Sequence, residues 1–298
     1  MNETIQNVAI VGGTHGNEIT GVRLLRRWTQ NPDEVKRSSF DTRLFFGNPK
    51  AFAENKRFID EDLNRCFGRE ALSSTDSPSY EASRAAVLNQ AIGPKGRPQH
   101  DLVIDLHTST SNCGAMIILV DDNAFNLRLA AYLSVHVPQA KIHYIPPASG
   151  ADQPYLASIC RRSLTVEVGP IAQGLVREDI FALSRKMVTH ALDYAHEANL
   201  RSALELPKQV EVFRFQRAVS FPEDGSHPGA AIHESLQDRD YQPLYPGDPM
   251  FRSLDGTVSY FEGTSTVYPV FINEAAYYYK RIAMSLTTKE WVDVPSSP

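Results

Sequence analysis

The sequence predicts an α/β sheet flanked by helices, followed by a smaller β-rich domain, and three observations carry that prediction. Short apolar runs such as Val8-Ala9-Ile10-Val11 and Leu102-Val103-Ile104 alternate with stretches of helical periodicity from residue 8 to residue 198, the pattern of strands buried between helices. Two of those runs end on histidine-bearing segments, and the carboxyl ends of strands are where an open α/β sheet binds ligands. Around Leu206-Pro207 the helical pattern stops, and alternating strand-like pieces broken by Pro and Gly take over.

In chain order, Val8 to Val11 is a buried strand that runs through Gly12-Gly13-Thr14-His15-Gly16-Asn17-Glu18 into an amphipathic helix starting at Ile19. Val22, Leu24, Leu25 and Trp28 mark its apolar face, and Pro32 helps to end it. Arg43 to Phe46 is the next strand, closed by the turn signature Gly47-Asn48-Pro49. Arg57 to Phe67 is charged and aperiodic; an active-site loop and a solvated surface loop both fit it. A helix over Ser79 to Ile92 and a turn-rich break from Pro94 to Pro98 precede the strand ending on His107. Met116 to Val120 (strand), Phe125 to Val135 (helix) and Lys141 to Ile145 (strand) follow, then a small polar loop over Ala148 to Gln153.

Leu164 to Val168 has the β-branched content of a strand, which Gly169-Pro170 stops and Glu167 interrupts. A charge in a buried strand is costly unless it is paired or placed at a site. On this segment alone, pairing with an Arg or Lys and a site role stand equal. A long helix covers Arg177 to Ala198, and the boundary near residues 203 to 209 divides the chain into domains 1–205 and 206–298. Strand-like pieces over Val212 to Val219 and Gly256 to Phe261 follow. The cluster Tyr277, Tyr278 and Tyr279 favours packing when taken by itself.

The chain has 298 residues, a formal net charge of -5 and a pI near 6.0, which gives no reason to expect nucleic acid as a partner. Met1 to Asn7 is polar, without the basic and apolar regions of a secretory signal, and no apolar run approaches the ~20 residues of a membrane span. A soluble cytoplasmic protein is expected. Cys66, Cys113 and Cys160 are odd in number and widely spaced. That suits buried thiols in a reducing compartment better than a disulfide framework or a metal clip.

The chemistry starts with His15 and Glu18, whose separation lets imidazole and carboxylate converge on one ion at a strand-to-helix turn. His107, at the end of the second strand, reaches the same sheet edge. His, Glu and His with an open fourth position is the ligand set of a catalytic zinc centre. Asp105 shares a strand face with His107 and is placed to orient an imidazole. Such a centre needs a carboxylate to move the proton of water, for which Glu167 is the candidate, and a cation for the developing oxyanion, for which Arg57 is. Asn64-Arg65 offers an amide and a guanidinium fork for a carboxylate, so the inferred substrate is a small anionic N-acylated compound.

Gly-Gly-Thr-His15-Gly-Asn-Glu18, Asp-Leu-Asn64-Arg65, Asp-Leu-His107-Thr, Val-Glu167-Val-Gly-Pro and Asn-Glu-Ala-Ala-Tyr277 together resemble the aspartoacylase family, within the wider aspartoacylase and succinylglutamate desuccinylase superfamily. The match runs from about residue 8 to residue 280, in the same order and at similar spacing. The resemblance implies a zinc-carboxypeptidase-like mixed sheet with a smaller β-rich C-terminal domain, one Zn2+ per subunit, and hydrolysis of N-acetyl-L-aspartate to aspartate and acetate. It makes His15, Glu18 and His107 the zinc ligands, Glu167 the catalytic carboxylate and Arg57 the carbonyl-polarising arginine. Asn64, Arg65 and Tyr277 become substrate-binding residues, and the resemblance also allows a homo-oligomer.

One position departs from the family. A further substrate-binding arginine is expected about ten residues before Glu167, where direct counting lands on Ala157; Arg161 or Arg162 supplies it if a small gap intervenes, and Tyr155 takes the place of a nearby tyrosine. The rival reading is a related zinc acylase acting on N-acetylated aromatic amino acids or on N-succinylglutamate, and loss of that arginine favours a less acidic substrate. A catalytically silent binding protein is the remaining alternative, which Glu167 and the open ligand set oppose. No role falls to His100, His136, His143, His190, His196, His227 or His233.

Overall fold

The computed structural model describes residues 4–74, 79–148, 152–224 and 227–297; the start of the polar N-terminal stretch and residues 149–151 of the expected loop lie outside them. The N-terminal portion comprises β1 (Asn7–Gly12), α1 (Ile19–Gln30), β2 (Asp41–Phe46), α2 (Pro49–Ala53), α3 (Arg69–Ser73), α4 (Tyr80–Ile92), β3 (Leu102–Thr108), β4 (Ala115–Leu119), α5 (Ala124–His136), β5 (Lys141–Tyr144), β6 (Arg162–Val168) and α6 (Glu178–Leu200). The remainder is β-rich: β7 (Gln209–Ser220), β8 (Glu223–Asp224), β9 (His227–Pro228), β10 (Ala230–Ile232), β11 (Pro249–Ser253), β12 (Val258–Tyr260), β13 (Tyr268–Val270) and β14 (Ile282–Asp293).

Among the described residues, the strands β13-β14-β7-β5-β4-β6-β3-β1-β2 form one mixed sheet. β1 is parallel to β2 and β3, β3 to β6, β4 to β5 and β5 to β7, whereas β4 is antiparallel to β6 and β14 to both of its neighbours. The sheet thus passes from the N-terminal portion into the C-terminal strands without a break. A separate antiparallel sheet holds β10, β11 and β12.

The two-residue period of the strands decides which side chains reach the site. Val8 and Ile10 of β1 pack with Leu24, Leu25 and Trp28 of α1 on one face, while Ala9 and Val11 meet Leu88 and Ile92 of α4 on the other. In β3, Leu102, Ile104 and Leu106 join the first face, so Asp105 and His107 fall on the second. In β6, Leu164, Val166 and Val168 join the first face, so Thr165 and Glu167 fall on the second. Helices α1, α5 and α6 bury the first face. On the second face, α4 covers one part, and Val270 and Phe271 pack on Met116 and Ile118 of β4 in another. The polar residues lie between these covers.

Gly13 has a left-handed backbone, with φ +73, and a Cβ there would lie 2.5 Å from Val22 Cγ2; a Cβ on Gly16 would lie 2.1 Å from the Ala51 backbone. The first turn therefore packs against α2 at distances that only glycine permits. The predicted Gly47-Asn48-Pro49 turn is the start of that helix: the Asn48 side chain accepts from the Ala51 amide at 3.1 Å, and Pro49 occupies the first helical position. The 57–67 segment is not a solvated loop, since Asp62, Leu63, Asn64, Cys66 and Phe67 are all buried. At five residues each, α2 and α3 are too short for a periodic signal. Strand β14 lacks a clean alternation because Ala283 to Thr287 is buried on both faces.

Candidate metal centre and active site

His15 lies in the turn after β1, Glu18 immediately precedes α1, and His107 is the penultimate residue of β3. All three are buried, and their donor atoms lie within 4.8 Å of one another. The Nδ1 atoms of His15 and His107 are 3.1 Å apart. Glu18 faces both, with Oε1 2.6 Å from His15 Nδ1 and Oε2 2.9 Å from His107 Nδ1. Behind each ring stands a carboxylate: Asp62 Oδ1 is 3.0 Å from His15 Nε2, and Asp105 Oδ2 is 2.8 Å from His107 Nε2. Such partners keep a proton on Nε2 and aim both Nδ1 lone pairs at the common centre. Thr14 donates to Asp105 at 2.6 Å, which fixes that carboxylate in turn.

The centre gathers positive charge. Burial disfavours the Glu18 carboxylate, but His15 and His107 outweigh it and hold the group well below the usual range. Burial is likewise overcome at His107, where Asp105 and Glu18 push the imidazole well above its ordinary value. Two imidazoles and a carboxylate, each with an orienting partner, fit a small divalent cation, whose binding displaces protons from the same atoms.

Arg57 edges this centre, donating from NH1 to Glu18 Oε1 at 3.0 Å and from NH2 to Asp62 Oδ2 at 3.1 Å. Its backbone carbonyl accepts from the Gly16 amide at 3.1 Å, which ties it to the turn that carries the ligands. Its buried Nε has no hydrogen-bond partner among the described residues. Asn64 accepts from the Leu156 amide at 2.8 Å, and Arg65 lies over the Tyr155 ring at 4.8 Å. Tyr155 is therefore beside Arg65, and it lines the same cavity.

Glu167 is half-buried and faces the same cavity of about 270 Å³. Removal of water by the surrounding protein, together with the charge of Glu18, pushes its carboxyl well above the ordinary value. Among the described residues it has no ion-pair or hydrogen-bond partner at contact distance, and the positive charges that act on it are those of His107 and Arg57 in the same cavity. Of the clustered tyrosines, Tyr277 lines the cavity, while Tyr278 and Tyr279 are exposed.

Asp62 and Glu274 have structural roles that their sequence positions did not reveal, although both sit inside the quoted motifs. Glu274 is buried and accepts from the Ser109 hydroxyl, from the Thr110 and Ser111 amides at 2.8 and 3.2 Å, and from the Ala276 amide at 2.9 Å. It clamps the segment after His107 to the turn that carries Tyr277. Composition cannot announce such a clamp, because Ser109, Thr110 and Ser111 lie more than 160 residues away.

Neither Arg161 nor Arg162 lines this cavity. Arg161 lines a separate one with Lys95 and Asp122, and Arg162 shares the face of Leu164 and lies over Phe125 at 5.2 Å. Ala157 is buried in a short turn over Leu156–Ile159. The strand period thus sends Arg162 to the wrong side of the sheet. Among the described residues, the basic side chains lining the catalytic cavity are Arg57, Arg65 and Lys280.

The three cysteines are free and buried, with burial pushing Cys66 and Cys160 up to about 12. No helix among the described residues is long and apolar enough to cross a membrane.

Comparison with known proteins gives the family of the chain. The Succinylglutamate desuccinylase/Aspartoacylase catalytic domain profile matches residues 4–195, and the AstE/AspA barrel-sandwich hybrid domain profile matches residues 208–289. A probable aspartoacylase of Trichodesmium erythraeum is 45% identical over 97% of this chain and 99% of its own. An N-acyl-aromatic-L-amino acid amidohydrolase (carboxylate-forming) of Rattus norvegicus is 42% identical over 98% of this chain and 93% of its own. A crystal structure of murine aminoacylase 3 superposes with a TM-score of 0.93 at 39% identity, covering 98% of each chain.

Proposed function

The chain belongs to the succinylglutamate desuccinylase/aspartoacylase family and is an enzyme that hydrolyses N-acyl amino acids, and from that premise we propose that it is a zinc enzyme cleaving N-acetyl-L-aspartate to acetate and L-aspartate. The observation that carries the reading is the convergence of His15, Glu18 and His107 beside an unpartnered Glu167. When bound, zinc supplies Lewis acidity to the amide carbonyl and acidifies water. His15, Glu18 and His107 hold the ion, with Asp62 and Asp105 orienting the two rings.

Glu167 takes a proton from the attacking water and delivers it to the leaving amine nitrogen, a task for which a carboxyl shifted towards neutrality is suited. Arg57, fixed by Glu18 and Asp62, stabilises the negative charge that develops on the carbonyl oxygen. Asn64, Arg65 and Tyr277 hold the substrate carboxylate. Lys280 adds a further positive charge at the cavity, which supports an acidic side chain.

A second reading of the substrate, an N-acylated aromatic amino acid, is favoured by the placement of Ala157, Arg161 and Arg162 outside the cavity and by Phe215, Phe271 and Ile282 in its lining. The division into portions 1–205 and 206–298 belongs to the same proposal, supported by the matched ranges. A cytoplasmic setting suits the free buried thiols. Comparing kcat/KM of the zinc-loaded enzyme on N-acetyl-L-aspartate, N-acetyl-L-phenylalanine and N-succinyl-L-glutamate tests the proposal. Preference for the first supports it; preference for either other substrate keeps the chemistry and replaces the substrate.

A further inference from the structure

Glu81, the second residue of α4, is fully buried and has no ion-pair partner among the described residues. Its carboxylate instead collects four N–H donors. Oε1 accepts from the Ile59 amide at 2.7 Å and from the Asn48 side-chain amide at 2.9 Å, and Oε2 accepts from the Asp60 and Glu61 amides at 3.0 and 3.3 Å. An ionised carboxylate accepts on both oxygens without presenting a donor, and a place in the first turn of a helix favours its charge. The loop returns the contact: Asp60 Oδ2 accepts from the Tyr80 amide at 2.8 Å, and the Ser79 hydroxyl donates to Glu61. Asp60 and Glu61 are exposed, so these bonds rather than burial hold the middle of the segment.

The three backbone amides lie between Arg57 and Asp62, whose side chains meet each other and the metal ligands Glu18 and His15. Asn48 extends the same junction to the ligand turn, because its backbone amide donates to the Gly13 carbonyl at 2.7 Å. Glu81 thus joins the turn that carries His15 to the loop that carries Arg57, although it touches no reacting atom itself. A guanidinium stabilises a developing oxyanion best when it is held in place beforehand, and a displacement of ~1 Å costs on the order of 10²-fold in rate. We propose that Glu81 is a positioning residue for the hydrolysis, its carboxylate fixing the backbone of residues 59–61 so that Arg57 is aimed at the carbonyl oxygen. The inference rests on the oxyanion role proposed for Arg57.

The test compares kcat and KM on an N-acetyl amino acid that the wild type turns over, for Glu81→Gln, Glu81→Asp, Arg57→Ala and the double variant Glu81→Gln/Arg57→Ala. Each enzyme is zinc-loaded, with its metal content checked by elemental analysis. Glu81→Gln keeps the volume but turns an NH2 group towards two of the four donors. Its kcat should fall about tenfold or more with KM nearly unchanged, the mark of an interaction made in the transition state. Glu81→Asp keeps the charge one methylene short and should lie between wild type and Glu81→Gln. In Arg57→Ala no guanidinium is left to place, so adding Glu81→Gln should change kcat by less than about twofold. A Glu81→Gln enzyme that loses stability in urea but keeps wild-type kcat overturns the inference, since a residue that only supports the fold would give that result. So do additive losses in the double variant. If Glu81→Gln does not fold, Glu81→Asp decides, and wild-type kcat there overturns the proposal. Wild-type kcat in Arg57→Ala overturns the oxyanion reading together with the inference; a defect there with none in either Glu81 variant overturns the inference alone.

Discussion

Glu167 stands directly across from His107 in the parallel ladder between β3 and β6, and both side chains project from the same face of the sheet. Neighbouring strands are ~4.8 Å apart, so the backbone ladder sets the distance between metal ligand and proton carrier. Replacing Glu167→Gln keeps the volume and removes the proton acceptor. The expected result is a fall in kcat of roughly 10²- to 10⁴-fold with unchanged zinc content by elemental analysis. A variant as active as wild type removes Glu167 from the mechanism.

Asp62 and Asp105 touch the far nitrogens of the two ligand rings. Substituting Asp62→Asn or Asp105→Asn is expected to weaken zinc binding about 10- to 100-fold, measured by competition with a chromogenic chelator. Unchanged affinity in both variants means that packing alone orients the rings.

Glu274 joins the segment after β3 to the turn bearing Tyr277 through three acceptor contacts, and a fourth, with the Ala276 amide, holds the turn itself. Glu274→Ala leaves the Thr110 amide without its acceptor, while the Ser111 amide keeps the Ser109 hydroxyl at 3.0 Å, and a loss of about 1 to 3 kcal/mol is expected in urea denaturation. Because Tyr277 loses its anchor, KM should rise as well. A variant with wild-type stability and KM contradicts the clamp.

How much of this was legible in the sequence follows from which interactions are local. His15 and Glu18 share one turn and His107 ends an apolar run, so strand periodicity was enough to bring these three to one edge, whereas Glu167 interrupts its run and the segment alone left a structural pair and a site role equal. Asp105 was legible for the same reason, through its shared face with His107. Asp62 was not, because its contact with His15 spans 47 residues and depends on the burial of a segment that composition alone read equally well as a surface loop. The places of Arg161 and Arg162 depended on where β6 begins, which a one-residue register change would reverse.

Asp240 offers a test of pH dependence away from the metal centre. Burial pushes its carboxyl up to about 7; Oδ1 accepts from the Ile272 amide at 3.3 Å, and Oδ2 has no partner among the described residues. The folded chain therefore holds a proton that the unfolded chain releases near pH ~3.9, so this group's stabilising contribution is full below that value. It declines as pH rises to about 7 and is level above, a change on the order of 4 kcal/mol. Asp240→Asn should match wild type near pH ~4 and exceed it in stability near pH ~8 in urea titrations. Equal stability at both pH values contradicts the assignment.

The central claim is that His15, Glu18 and His107 hold the zinc on which hydrolysis depends. Zinc is titrated into chelator-stripped enzyme while amine release from an N-acetyl amino acid is followed. Activity is predicted to rise in proportion to added metal and to level at one equivalent per chain, with His107→Ala failing to respond over the same range. Full activity of the stripped protein in the presence of chelator, or an undiminished response in His107→Ala, would contradict the account.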